Sequence, residues 1–175
     1  MKMLGMLFAL AAGLASVTRA GDLPHLYVTW AGTEPDKGAS AWYIKRHINP
    51  RAVFEVQPHG SMVERGTAFD TPFARYRRIH NASTMETLLR EHPSSDPVVK
   101  KLALLTHDIE INLWQPKQYP ESRVVEARVK ELDATFGGHV PMECFVAFFD
   151  NVYQWLEAQR ADAESLKTPQ SCRPG

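Results

Sequence analysis

The chain has 175 residues, with 20 basic against 20 acidic side chains, seven histidines and only two cysteines. Balanced charge gives no field for gripping nucleic acid or an anionic membrane. Two cysteines exclude a disulfide-dense scaffold, a four-cysteine zinc site and an iron–sulfur cluster.

The first twenty residues, MKMLGMLFALAAGLASVTRA, have the layout of a secretory signal peptide. Lys2 supplies the positive start, residues 4–17 form an apolar run, and Thr18 and Ala20 are small residues before a cut at Gly21. The run is short for a membrane span, and no cysteine follows it for lipid attachment. The sequence therefore predicts a leader over 1–20, a single domain over 21–165, a flexible tail over 166–175, and a periplasmic or secreted location. Without Lys2 and Arg19 the balance becomes 18 basic against 20 acidic residues. No second apolar run reaches spanning length, so neither a membrane span in the mature chain nor a nucleic-acid partner is expected.

Residues 25–31 (HLYVTWA) alternate as a strand. A turn at Gly32-Thr33-Glu34-Pro35 follows, and Asp36 is placed to cap a helix through about Ile48, which Asn49-Pro50 ends. Residues 52–57 (AVFEVQ) read as a second strand and 66–70 as a short third. Ser83 and Glu86 carry the capping-box pattern for a helix to about Glu91. Asp96-Pro97 opens another, with Val98, Leu102, Leu105 and Ile109 on one stripe. A helix over 121–136 stops at Gly137-Gly138, and a last one runs from Pro141 to about Arg160. The order predicts an α+β domain, a small sheet of about three strands covered by four to five helices. Cys144 lies in the apolar run 142–149 and Cys172 in the tail; the spacing allows a cross-link, but the unpaired reading is favoured.

Three patches are more polar than packing requires. In the first, residues 36–47, the amide groups that open the helix favour an anion or an acidic side chain. Trp42 and Arg46, four apart, share a face, so the guanidinium can lie over the indole. In the second, His107-Asp108-Ile109-Glu110, an imidazole and a carboxylate three apart can hold one metal ion jointly, or act as a base and its orienting group. The third is Phe69-Asp70 with Arg75, Arg77, Arg78 and His80, where His80 suits a third metal ligand and the arginines suit an oxyanion edge. Each patch also has a plainer reading as a cap or a solvated face. No nucleophile elbow, Walker loop, dinucleotide fingerprint, His-Glu-x-x-His or Cys-x-x-Cys motif is present.

Taken in order, these segments resemble the C-terminal domain of the chromate-resistance protein B family. The resemblance rests on Trp30-Ala31, Asp36-Lys37, the run Ala39-Ser40-Ala41-Trp42-Tyr43-Ile44-Lys45-Arg46-His47-Ile48-Asn49-Pro50, then Phe69-Asp70, His80, Asp96-Pro97-Val98, His107-Asp108-Ile109-Glu110, and Phe149-Asp150 with Tyr153. Lys37 stands where the family has Arg, Glu110 where it has Asp, and the segment around His80 departs from its usual run. The resemblance implies a role in bacterial chromate resistance. Intracellular relatives carry an additional N-terminal region and are associated with chromate sensing; the leader here points instead to an exported form.

The leading expectation is an exported binding protein for a small inorganic ion. In one version Asp36, His80, His107, Asp108 and Glu110 hold a divalent metal. In the other, Lys37, Arg46 and the helix N-terminus bind a chromate-like oxyanion directly, with Asp36, Ser40 and Trp42 in the same binding patch. The two versions are compatible if a metal sits beside the anion. The alternatives are a metal-dependent oxidoreductase or hydrolase using the same cluster, and a structural or partner-binding domain.

Overall fold

The computed structural model describes residues 24–159 and 162–172; the expected leader lies outside them. Three strands, β1 (Leu26–Trp30), β2 (Val53–Gln57) and β3 (Thr67–Ala68), form a parallel sheet in the order β2-β1-β3. Leu26 pairs with Val53 at one end of β1 and Trp30 with Gln57 at the other, while Val28 pairs with Ala68. The helices are α1 (Pro35–Tyr43), α2 (Thr84–Glu91), α3 (Pro97–Glu110), α4 (Pro120–Phe136) and α5 (Met142–Glu157). The α+β architecture is as the sequence predicts. Tyr27, Val28 and Thr29 are all buried, so the central strand is covered on both faces.

Helix α1 begins differently from the expectation. Glu34 is its N-cap and Pro35 its first residue, which leaves Asp36 inside the first turn rather than capping it. The helix then loosens: residues Ile44–Ile48 form a π-helical turn, closed by the Asn49 amide donating to the Ile44 carbonyl at 2.7 Å. Gly38 sits inside α1 because α5 crosses it closely. A Cβ at that position would lie 2.5 Å from a Phe149 ring carbon and 2.8 Å from one of Phe145.

The cap signals hold. Ser83 accepts from the Glu86 amide and Glu86 accepts from the Ser83 amide, completing the box that opens α2. Asp96 caps α3 through the Val98 and Val99 amides, with Pro97 at the first helical position. Gly137, at φ +58°, ends α4 in the left-handed conformation that glycine adopts without strain.

The cysteines correct the sequence reading. Cys144 and Cys172 are joined by a disulfide, their Cα atoms 5.1 Å apart. Leu166 and Cys172 are buried, so this part of the expected tail packs against the domain, and Gln170–Cys172 form a 3-10 turn. The apolar run around Cys144 buries its sulfur, but as one half of the disulfide and not as a free thiol. Among the described residues no helix is long and apolar enough to cross a membrane.

Candidate functional site

In an open parallel sheet, ligands collect outside the carboxyl ends of the strands, where the strand order reverses. Here the chain leaves β1 through α1 to β2 on one side, and β3 lies on the other side of β1. The crevice therefore falls between the loops that follow β1 and β3. Those loops carry Glu34 and Asp70, and both line a pocket of about 570 Å³ with Thr71, Pro72, Arg77, Arg78, His80 and Glu110. The topology thus unites residues from the turn before α1, the basic loop after β3 and the end of α3.

The loop after β3 is built with two non-glycine residues at positive φ, Asp70 at +51° and His80 at +48°, both lining the pocket. Such backbone is uncommon outside glycine, though Asp and His enter it more easily than most residues. Asp70 is held there by its amide donating to the Tyr76 carbonyl at 2.8 Å. His80 lies within a tight reversal closed by Ile79 and Ala82, whose amides and carbonyls exchange bonds of 3.1 and 2.8 Å.

Beneath the pocket lies Asp36, fully buried. Its carboxylate accepts from the Thr84 amide at 2.7 Å and the Met85 amide at 2.9 Å, so it serves the N-terminus of α2 rather than its own helix. The Ser40 hydroxyl donates to it at 3.4 Å, and an Arg78 nitrogen lies 3.9 Å away. Burial raises the Asp36 carboxyl to about 6 despite the two amide bonds. Thr84 also donates its hydroxyl to Asp70 at 2.7 Å, linking the two acids. Burial raises Asp70 further, to about 8, and the nearby Asp36 charge adds to the rise. The site thus favours the protonated form of Asp70, which can donate a hydrogen bond.

The basic side of the pocket is Arg77 and Arg78. Arg78 donates to Glu110 at 2.8 Å, while one Arg77 nitrogen donates to the Ala74 carbonyl at 2.7 Å. Glu110 also accepts the Asp36 amide at 3.4 Å. The opening of α1 thus holds an acidic side chain, supplied by α3.

The remaining sequence candidates are distributed elsewhere. Lys37 is buried and donates to the Gly32 carbonyl at 3.1 Å and to Glu34 at 2.5 Å, positioning that rim carboxylate. Trp42 and Arg46 do not stack as expected. Both turn to Asp150 of α5, the indole donating at 2.9 Å and the guanidinium through bonds of 2.9 and 2.6 Å, which clamps α1 to α5. His107 pairs with Glu86 at 2.9 Å, not with Glu110. Asp108 is buried and accepts from Asn112 and from the Gln118 and Tyr119 amides, tying the loop that precedes α4. Burial works against its charge, but those hydrogen bonds prevail and hold it at about 2. Of the proposed ligands, His80 and Glu110 line the pocket and Asp36 is buried against Glu110 and Arg78, while His107 and Asp108 are engaged outside it. Among the described residues no three His, Cys, Asp or Glu side chains group as ligands of one ion.

Sequence reasoning placed Asp70, Arg77 and Arg78 in a polar patch without choosing them as the site, and it missed Glu34, Thr71 and Thr84. The available signal was the position of Asp70 directly after a strand, at the carboxyl end where parallel sheets bind ligands.

A family model described as ChrB, C-terminal domain, matches residues 27–156. Comparison with curated proteins and with solved structures finds no match. The matched span runs from within β1 nearly to the end of α5 and contains every residue that lines the pocket. The chain belongs to the ChrB C-terminal domain family and is a protein of the chromate-resistance type.

Proposed function

We propose that this protein acts outside the cytoplasm as a binding domain for a small oxyanion of the chromate class, held in the pocket between the β1 and β3 loops. One observation carries the reading: Arg77, Arg78 and His80 converge on one pocket, whose carboxylates Glu34 and Glu110 are already held by Lys37 and Arg78. Guanidinium groups match the oxygens of an oxyanion with paired N–H donors. The raised Asp70 carboxyl, where protonated, adds a donor to the same pocket. The leader-like sequence supports export, and the Cys144–Cys172 disulfide suits an oxidising compartment.

A second reading is a divalent cation in the same pocket. It is favoured by the raised Asp36 and Asp70 carboxyls and by Glu110, since a bound cation would relieve their mutual repulsion. The two readings respond oppositely to pH. Ionisation of Asp70 above about pH 8 weakens an oxyanion and strengthens a cation. Calorimetric titration with chromate, and separately with Zn²⁺ or Mg²⁺, from about pH 7 to about pH 9 tests both. Chromate affinity that falls across this range, and is lost in Arg77→Ala and Arg78→Ala, supports the oxyanion reading. No chromate binding, with cation binding that tightens as pH rises, refutes it.

A further inference from the structure

Beside the polar pocket lies a second one, of about 410 Å³, with apolar walls from Trp30, Met62, Val63, Ala68 and Phe73. Thr71 lines both pockets, Pro72 lines the polar one and Phe73 the apolar one, so three consecutive residues form the boundary between them. The apolar walls are open to solvent: Met62 is 78% exposed and Phe73 86%. Trp30 is held in place, its indole N–H donating to the Ser61 carbonyl at 2.8 Å and its ring 4.6 Å from that of His59. Large exposed apolar side chains gathered around a concavity mark a binding surface more often than isolated ones do. A pocket of this size suits a small molecule.

We propose that the two pockets form one site for an organic anion, a small molecule with an aromatic or aliphatic body and an oxyanion group. The anionic group sits against Arg77 and Arg78, and the body lies across Thr71 against Trp30, Met62 and Phe73. This rests on the oxyanion reading of the polar pocket and extends it to a second compartment. Continuity through Thr71 joins apolar side chains to a pocket where Arg77 and Arg78 stand among Glu34, Asp70 and Glu110. Two of these acids, Glu34 and Glu110, are already paired with Lys37 and Arg78, so the match is to an amphiphilic anion rather than a purely apolar ligand. A bare inorganic anion would fill only the polar half.

The test uses the mature chain with two probes, chromate and naphthalene-1-sulfonate, followed by calorimetry and by naphthalene fluorescence. Naphthalene-1-sulfonate is expected to bind and to be displaced by chromate. Phe73→Ser and Met62→Ser, at exposed positions where folding is little affected, should weaken it by about tenfold each and leave chromate affinity unchanged. Arg77→Ala should weaken both probes. Chromate binding without naphthalene-1-sulfonate binding overturns this inference and leaves the oxyanion pocket standing. Naphthalene-1-sulfonate that binds independently of Arg77, or equally well after Phe73→Ser, also overturns it. If it binds through Arg77 and Phe73 while chromate does not bind, the organic-anion site stands and the inorganic reading falls. Dimerisation abolished by Phe73→Ser would assign the apolar face to a second copy and overturn the proposal.

Discussion

Replacing Asp70 by Asn should stabilise the protein increasingly as pH rises. Three features of the site make this substitution mild. Asn has the same shape, its side-chain carbonyl can accept the Thr84 hydroxyl in place of the carboxyl oxygen 2.7 Å away, and it tolerates the positive φ of this position. What changes is the proton. Because burial raises Asp70 from 3.8 to about 8, the fold is most favoured when this group is protonated. Below about pH 4 the carboxyl is neutral in both folded and unfolded chains, and wild type and variant differ little. Between about pH 4 and 8 the unfolded chain releases a proton that the folded one keeps. The wild type then loses up to about 1.4 kcal/mol of stability per pH unit from this residue, a loss Asn does not suffer. Asp36 shares the repulsion, so about 2 kcal/mol between pH 5 and 7 is a reasonable expectation for the growth of the difference. Urea denaturation of both proteins across this range, with equal slopes as a control for the unfolded state, measures it directly. Parallel stability profiles, or a difference that shrinks as pH rises, would refute the assignment of Asp70 as an acid that the fold keeps protonated. The Asn amide remains a donor, so the variant should also retain chromate binding and lose its weakening above pH 8.

Other consequences concern the frame of the site. Cys172→Ser should lower stability by about 3.5 kcal/mol, from the chain-entropy value for cysteines 28 apart in sequence, and differential scanning calorimetry in oxidising buffer reads it as a lower Tm. An unchanged Tm would show that the cross-link does not constrain the unfolded chain. Asp150→Ala removes the acceptor shared by Trp42 and Arg46; Arg46 is nearly half exposed, so the expected cost is about 1–2 kcal/mol in urea denaturation, with chromate affinity unchanged. Loss of chromate binding in that variant, without unfolding, would return Trp42 and Arg46 to the site. His107→Ala should leave both chromate and cation titrations unaltered, because its partner is Glu86 outside the pocket; a lost cation site would contradict that placement.

The parts of the fold legible in the sequence are those decided by neighbours along the chain. The Ser83–Glu86 box, the Asp96-Pro97 start and the Gly137 stop each satisfy backbone groups within one turn, and their residue types announce it. Asp36 was legible only as an acid near a helix start. Its partners, the Thr84 and Met85 amides, come from 48 and 49 residues away, and local spacing points to the wrong helix. The pair His107 and Glu110 misled for a similar reason. They are three apart on α3, yet one reaches Glu86 and the other Arg78, so sharing a helical face did not become sharing a ligand. The positive φ of Asp70 and His80 and the shift of Trp42 and Arg46 to Asp150 have no local signature. They follow from how the parallel sheet and α5 bring distant segments together. The same holds for the disulfide, which depends on how the tail crosses α5.

The most direct test is chromate titration of the purified protein, residues 21–175, at two pH values on either side of Asp70's ionisation, about 7 and about 9. The expected result is one bound chromate per chain, affinity that falls at the higher pH, and loss of binding in Arg77→Ala and Arg78→Ala. Affinity that rises with pH, or that survives removal of both guanidinium groups, would contradict it.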